Sequence, residues 1–121
     1  MWMYHLNKGN VLFVNGKKME ALLCFERALR MSPKNDGILF ALGNWYYSQK
    51  RMEESLKYYD ELLKLNPKNR LALGQKAGAL RYMHRFEEAL RVLEMLIKLD
   101  PENEKVKSAL KLVYEQIHNK N

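Results

Sequence analysis

The sequence predicts an all-α chain in which one helix-turn-helix unit occurs three times and is followed by a single closing helix. Two observations carry this prediction. The three prolines, Pro33, Pro67 and Pro101, lie 34 residues apart. Apolar residues also recur at spacings of three and four, which is the period of a helix rather than of a strand. Together these patterns predict seven helices, at residues 2–15, 18–31, 36–49, 52–65, 70–83, 86–99 and 103–118.

Each proline belongs to a repeated four-residue turn. The turns read Ser32-Pro33-Lys34-Asn35, Asn66-Pro67-Lys68-Asn69 and Asp100-Pro101-Glu102-Asn103. A proline disfavours the α conformation in the residue before it, so the preceding helix should end there. The recurring Asn suits the N-cap of the next helix. The boundaries that follow are repeats at 2–35, 36–69 and 70–103, a closing helix at 104–118 and a disordered tail at 119–121.

Positions that recur every 34 residues, which we call columns, hold residues of similar size. The small and bulky columns explain how the two helices of a repeat pack. One small column reads Gly9, Gly43, Ala77 and another reads Ala21, Ser55, Ala89. Small residues let helix backbones approach closely, and the bulky column Phe25, Tyr59, Leu93 then fills the remaining space. The two helices of each repeat are separated by a break, near Asn15-Gly16-Lys17, Gln49-Lys50-Arg51 and Met83-His84-Arg85. The second helices begin acidic and end basic, which complements the helix dipole.

The composition indicates an ordinary globular domain. The chain has 121 residues, of which 47% are hydrophobic and 29% charged, as in typical folded domains. No apolar run approaches the roughly 20 residues that span a bilayer, and the first residues do not resemble a secretory signal. Cys24 is the single cysteine, so an intramolecular disulfide is excluded and a buried, small apolar role is expected. The expected location is the cytoplasm.

The sequence offers little for catalysis. Its histidines, His5, His84 and His118, lie in separate segments without a second ligand at metal-binding spacing. Adjacent glutamates open the second helices, where they stabilise the helix dipole rather than form an acid–base pair. No phosphate-binding glycine loop or nucleophile elbow is present. We therefore expect no enzyme activity, no cofactor and no metal site.

The net charge of +7 is unevenly distributed. The three repeats and the last segment carry +4, 0, +1 and +2. A solvated lysine-rich surface is the favoured explanation. An RNA-binding helical repeat is the lesser alternative, suggested by the charge and by Arg81 beside Tyr82.

At this point the sequence resembles the tetratricopeptide repeat family, whose 34-residue pattern has a Trp, then Leu-Gly, then Tyr, with a later Ala-x-x-x-Phe and a final Pro. The second repeat carries Leu42-Gly43 and Tyr46 and ends at Pro67, and the first carries Ala21 and Phe25. There are departures: the family's Trp column reads His5, Leu39, Leu73, and the Leu of Leu-Gly is replaced by Lys8 and Lys76 in the outer repeats. The resemblance implies an α-solenoid that serves as a non-catalytic scaffold for a protein or peptide partner.

The resemblance also implies a binding groove on the concave side, lined by the first helix of each repeat. An aromatic wall with two asparagines that could bond a ligand backbone would suit an extended or helical peptide. The predicted partner-binding residues are Leu6, Asn10, Phe13, Phe40, Asn44, Tyr47, Arg81 and Tyr82.

One known family role is not expected here. Family members that grip the C-terminal carboxylate of chaperone tails do so with lysines, asparagines and an arginine at five positions. This chain carries Leu6, Asn10, Ala41, Leu71 and Gln75 there, so that only Asn10 matches. The sequence therefore predicts no binding to acidic chaperone tails.

The two end helices differ. The last helix has one apolar and one charged face, as a capping helix requires. The first is apolar most of the way round, where a terminal helix should show a polar stripe. Missing upstream repeats or a second copy of the chain could cover it, or its aromatics could simply be half exposed. The alternative function is thus self-association into a dimer or open stack, through Trp2, Met3, Tyr4, Val11, Phe13 and Val14.

Overall fold

A computed structural model, which describes residues 1–119, shows an all-α chain. Its seven helices are α1 (Trp2–Val14), α2 (Lys18–Met31), α3 (Asp36–Ser48), α4 (Met52–Leu65), α5 (Arg70–Tyr82), α6 (Phe86–Leu99) and α7 (Glu104–His118). Residues 1–119 contain no strand. The predicted fold class, a helical repeat of the α-solenoid type, is confirmed. Within the described residues, every helix is too short or too polar to span a bilayer.

The proline turns end one helix and start the next as predicted. Helices α2, α4 and α6 stop directly before the turns, where the backbone of their C-cap residues is no longer helical. The side-chain oxygens of Asn35, Asn69 and Asn103 each accept a hydrogen bond from the backbone N–H three residues later, at 3.2, 3.0 and 3.2 Å. This N-cap satisfies a donor that would otherwise be unpaired at the helix start.

Some helix ends differ from the prediction by one residue. Helices α1, α3 and α5 stop earlier than expected, because Asn15, Gln49 and Met83 are C-caps whose N–H groups still bond the last turn. Helix α7 starts at Glu104, since Asn103 is its N-cap. Of the predicted tail, Asn119 is the C-cap of α7, and residues 120 and 121 lie outside the described residues.

The turns inside the repeats each place one residue in the left-handed region. The residues are Gly16, Lys50 and His84, with φ of 83°, 63° and 60°. Only glycine adopts this conformation without steric cost. Repeats two and three therefore carry a small strain that the first repeat avoids.

We expect Lys50→Gly and His84→Gly each to raise the free energy of unfolding by about 0.5–1 kcal/mol, because glycine relieves the left-handed strain. Gly16→Ala should lower it by a similar amount. Urea denaturation followed by circular dichroism measures all three. A stability loss in both glycine variants would contradict the strain argument.

The chain divides into two compact units, and the first, unit 1, comprises Met1–Pro67. In unit 1, α1 packs on α2, α3 packs on α4, and α2 also packs on α3. Its core cluster consists of Ala21, Phe25, Ala28, Ile38, Leu42 and Trp45. Cys24 is also buried, with a free thiol, as expected.

Close helix approach in unit 1 depends on the predicted glycine column. A Cβ at Gly9 would lie 2.6 Å from the Phe25 ring, and one at Gly43 would overlap the Tyr59 ring. The aromatic of the second helix thus lies directly against the backbone of the first. The predicted pairing of small and bulky columns is confirmed in both repeats of this unit.

The second unit, unit 2, begins at Lys68 and contains α5, α6 and α7. Helix α6 packs on both of its neighbours, and Arg70 forms an ion pair with Asp100 at 3.6 Å. The Gly column continues here as Ala77, which is buried together with Leu93 of the bulky column. Val106 and Val113 form the buried side of α7, which agrees with the predicted apolar face of the last helix.

Candidate protein-binding surfaces

Six of the predicted partner-binding residues lie on the two first helices of unit 1. We call them the α1–α3 face: Leu6, Asn10, Phe13, Phe40, Asn44 and Tyr47. Helices α1 and α3 are in contact, and a Cβ at Gly37 would lie 3.7 Å from the Leu6 side chain. Asn10 is exposed, and the other five are partly buried. The face therefore combines apolar side chains that reach solvent with at least one accessible amide.

Two groups of this face are positioned by α4, which the sequence analysis did not assign to the site. The hydroxyl of the buried Tyr59 donates a hydrogen bond to Asn44 Oδ1. The rings of Tyr59 and Phe40 lie 6.1 Å apart and are tilted by 47°. Tyr59 is fully buried, so its hydroxyl and ring fix the positions of Asn44 and Phe40 from the interior side of the face. The bulky column identified Tyr59 as core, but only the fold shows its bond to Asn44.

Arg81 and Tyr82, the remaining predicted residues, lie in the last turn of α5 in unit 2. Tyr82 is exposed and Arg81 partly buried. Their membership of one groove with the α1–α3 face stays a prediction.

The residues predicted for self-association divide into two groups. Trp2 and Phe13 pack against the core cluster of unit 1, whereas the exposed ones are Met3, Tyr4, Val11 and Val14. Tyr4 and Val11 share one side of α1 with Lys8, whose Nζ lies 5.9 Å from the centre of the Tyr4 ring. We call Tyr4, Lys8 and Val11 the outer α1 face.

The outer α1 face is more exposed than the equivalent face of α3 in the second repeat. Its residues correspond, 34 positions later, to Ile38, Leu42 and Trp45 on α3, which belong to the core cluster with residues of α2. Tyr4 and Val11 are 58% and 60% exposed, against 0% and 3% for Ile38 and Trp45. The outer α1 face thus has the register of a helix-packing surface but lies open to solvent.

The histidines and acidic groups of the described residues form no cluster suited to a metal ion. Residues 1–119 bring no three His, Cys, Asp or Glu side chains close enough to hold a metal ion. Desolvation lowers the pKa of His5, as do the N-terminal amine, Arg27 and Lys8. His84 is exposed in its turn, as expected.

Comparison with known families agrees with this geometry. Two models described as tetratricopeptide repeat match residues 6–70 and 47–113. The chain belongs to the tetratricopeptide repeat family, whose fold is a protein–protein interaction scaffold. No curated protein matches the sequence.

Similar solved structures include the first tetratricopeptide domain of Spaghetti (RPAP3) bound to the HSP90 peptide SRMEEVD, at TM-score 0.91 and 21% identity, covering 98% of this chain and 94% of that one. A repeat protein from Parabacteroides merdae has TM-score 0.92 and 21% identity, covering 98% and 46%. The second such domain of human RPAP3, in complex with an HSP70 peptide, has TM-score 0.82 and 19% identity, covering 94% and 98%. At these identities the similarity establishes the fold alone.

Proposed function

We propose that the chain binds a peptide segment of a partner protein through the α1–α3 face. The observation that carries the proposal is the set of partly buried apolar and aromatic side chains beside the exposed Asn10. Aromatic side chains add binding area at low entropic cost, and a nearby amide can orient the backbone of a peptide. The expected ligand is a segment with bulky apolar side chains.

The expected ligand differs from the HSP90 and HSP70 peptides that two structural neighbours bind. On unit 1, the positions that grip a carboxylate by family resemblance hold Leu6, Asn10 and Ala41, which carry no positive charge. Recognition of a carboxylate depends strongly on charge-assisted hydrogen bonds from lysine or arginine. The peptide SRMEEVD is therefore a useful negative probe.

Peptides of 12 residues selected on the full chain from a random library should lose affinity on Asn10→Ala and Tyr47→Ala. We expect each substitution to weaken binding about five- to twentyfold, the usual range for an interface hydrogen bond or aromatic contact. Fluorescence anisotropy with the labelled peptides measures the dissociation constants.

Leu23→Ala, at an exposed position of α2, is the matched control and should leave the affinity unchanged. SRMEEVD should show no saturable binding in the micromolar range. Selected peptides that bind all variants equally would overturn the assignment of the face, and tight binding of SRMEEVD would overturn the proposed ligand chemistry.

Self-association is the second candidate function, and the open outer α1 face favours it. A second copy that covered Tyr4 and Val11 would bury apolar surface that the equivalent positions of α3 bury within the chain. The lysine within the face disfavours a symmetric pairing of two such faces, because two Lys8 side chains would then lie close together. An open, head-to-tail association is the better fit.

Sedimentation across a concentration series should then show association that Val11→Glu abolishes. Val11 is exposed, so the charged variant should keep the fold, whereas Phe13 packs on the core and is unsuitable for this test. Leu23→Glu, on α2, is the control of equal charge change. A wild-type chain that stays monomeric at the highest concentration removes this candidate.

A further inference from the structure

Unit 2 contains an apolar groove that the proposed function does not use. It lies between α6 and α7, has a volume of about 380 Å³ and is lined by Leu90, Glu94, Leu110, Lys111, Tyr114 and Glu115. Tyr114 is 56% exposed. The volume is within the range of ligand-binding clefts, and the lining residues come in pairs four apart on each helix.

The same groove exists in unit 1, where it is filled. The residues 68 positions earlier include Leu22 and Glu26 on α2 and Leu42, Gly43 and Tyr46 on α3. Helix α4 lies against the α3 residues of this set: Tyr59 contacts Gly43, and Tyr58 stacks on Tyr46 with ring centres 5.6 Å apart. Burial raises the pKa of the Tyr58 hydroxyl, and the charges of Tyr46 and Glu26 raise it further. The occupant of the groove in unit 1 is therefore an amphipathic helix with two consecutive tyrosines.

The open groove differs from the filled one at one decisive position. Where unit 1 has Gly43, unit 2 has Lys111. A ring in the position of Tyr59 would meet the lysine side chain, whereas a carboxylate there would pair with its charge. Tyr114 occupies the place of Tyr46, so a second aromatic ring could stack on it as Tyr58 stacks on Tyr46.

We propose that the α6–α7 groove binds an amphipathic helix of a partner protein, with an aromatic side chain stacked on Tyr114 and the next residue a carboxylate that faces Lys111. Glu94 and Glu115 line the same groove and favour lysine or arginine at the margins of the bound helix. The groove is apolar apart from these groups, so burial of the apolar stripe of the helix drives binding. This surface is distinct from the α1–α3 face.

The probe is a labelled, end-capped peptide of residues 52–65, the helix that fills the equivalent groove, carrying Tyr59→Glu. We expect saturable binding to the full chain, with amide shifts in nuclear magnetic resonance spectra confined to α6 and α7. The unmodified peptide should bind about fivefold more weakly, because its tyrosine meets Lys111. Lys111→Glu in the chain should weaken the modified peptide about tenfold, and Tyr114→Ala about fivefold.

Lys105→Glu, with the same charge change on an exposed part of α7, is the control and should leave binding unchanged. Absence of saturable binding, equal losses with Lys105→Glu, or shifts confined to α1 and α3 would each overturn the proposal. Self-association of the wild-type chain that is lost in the Tyr114→Ala variant would also overturn the proposal, because the occupant of the groove would then be a second copy. Library peptides whose affinity falls on Asn10→Ala should bind Tyr114→Ala normally, so the two surfaces can fail independently.

Discussion

Trp45→Ala is expected to lower the free energy of unfolding by about 3–5 kcal/mol, the usual loss for a buried large aromatic. Trp45 is 3% exposed within the core cluster of unit 1. Its Nε1–H donates a 2.8 Å hydrogen bond to the carbonyl oxygen of Lys18, which joins the end of α3 to the start of α2. Removing the ring therefore opens a cavity and breaks a contact between the first two repeats. Urea denaturation followed by circular dichroism measures the loss.

Two further variants separate the cavity from the hydrogen bond. Trp45→Phe keeps most of the apolar volume but removes the donor, so we expect a loss of about 1–2 kcal/mol. Met19→Ala, at an exposed position of α2, should change stability by less than about 0.5 kcal/mol. A Trp45→Ala variant as stable as Met19→Ala would show that this residue does not connect the repeats.

Gly43→Ala should cost about 1–3 kcal/mol, although alanine is the better helix former, because its methyl group would overlap the Tyr59 ring. Tyr59 is fully buried and bonded to Asn44, so the ring cannot move aside without loss. The same variant should weaken peptide binding at the α1–α3 face, since Asn44 and Phe40 lie on Tyr59. Thermal unfolding and the anisotropy assay test the two effects.

The third repeat suggests the compensating change. It carries Ala77 and Leu93 at the two columns, both buried. Gly43→Ala combined with Tyr59→Leu should therefore cost less than the sum of the single variants, with a coupling of about 1 kcal/mol. Strictly additive losses would mean that the glycine is required for a reason other than the ring beside it.

The fold is shared with domains that bind chaperone peptides, but the ligand does not follow from the fold. Function depends on the side chains of a surface, and a repeat scaffold presents many different surfaces. The two surfaces proposed here place different demands on a partner: the α1–α3 face suits bulky apolar groups near an amide, and the α6–α7 groove suits a helix with an acidic residue opposite Lys111.

The sequence by itself determined the helices and the pairing within each repeat. The prolines and the caps Asn35, Asn69 and Asn103 act on their immediate neighbours, so the helix ends could be predicted to within a residue. The columns that contain Gly43 and Tyr59 repeat every 34 positions. This repetition was enough to predict close packing between the two helices of each repeat. These features are local or periodic, and a single sequence records both.

Only the tertiary structure decided which apolar residues are buried by packing within the chain. On α1 the sequence could not separate Trp2 and Phe13, which pack on the core, from Tyr4 and Val11, which remain exposed. Nor could it assign Tyr59 as the support of Asn44, or reveal the groove beside Lys111. These properties depend on side chains that meet across helices distant in sequence, and a hydrophobic pattern shows that a residue can be buried without showing which neighbour covers it.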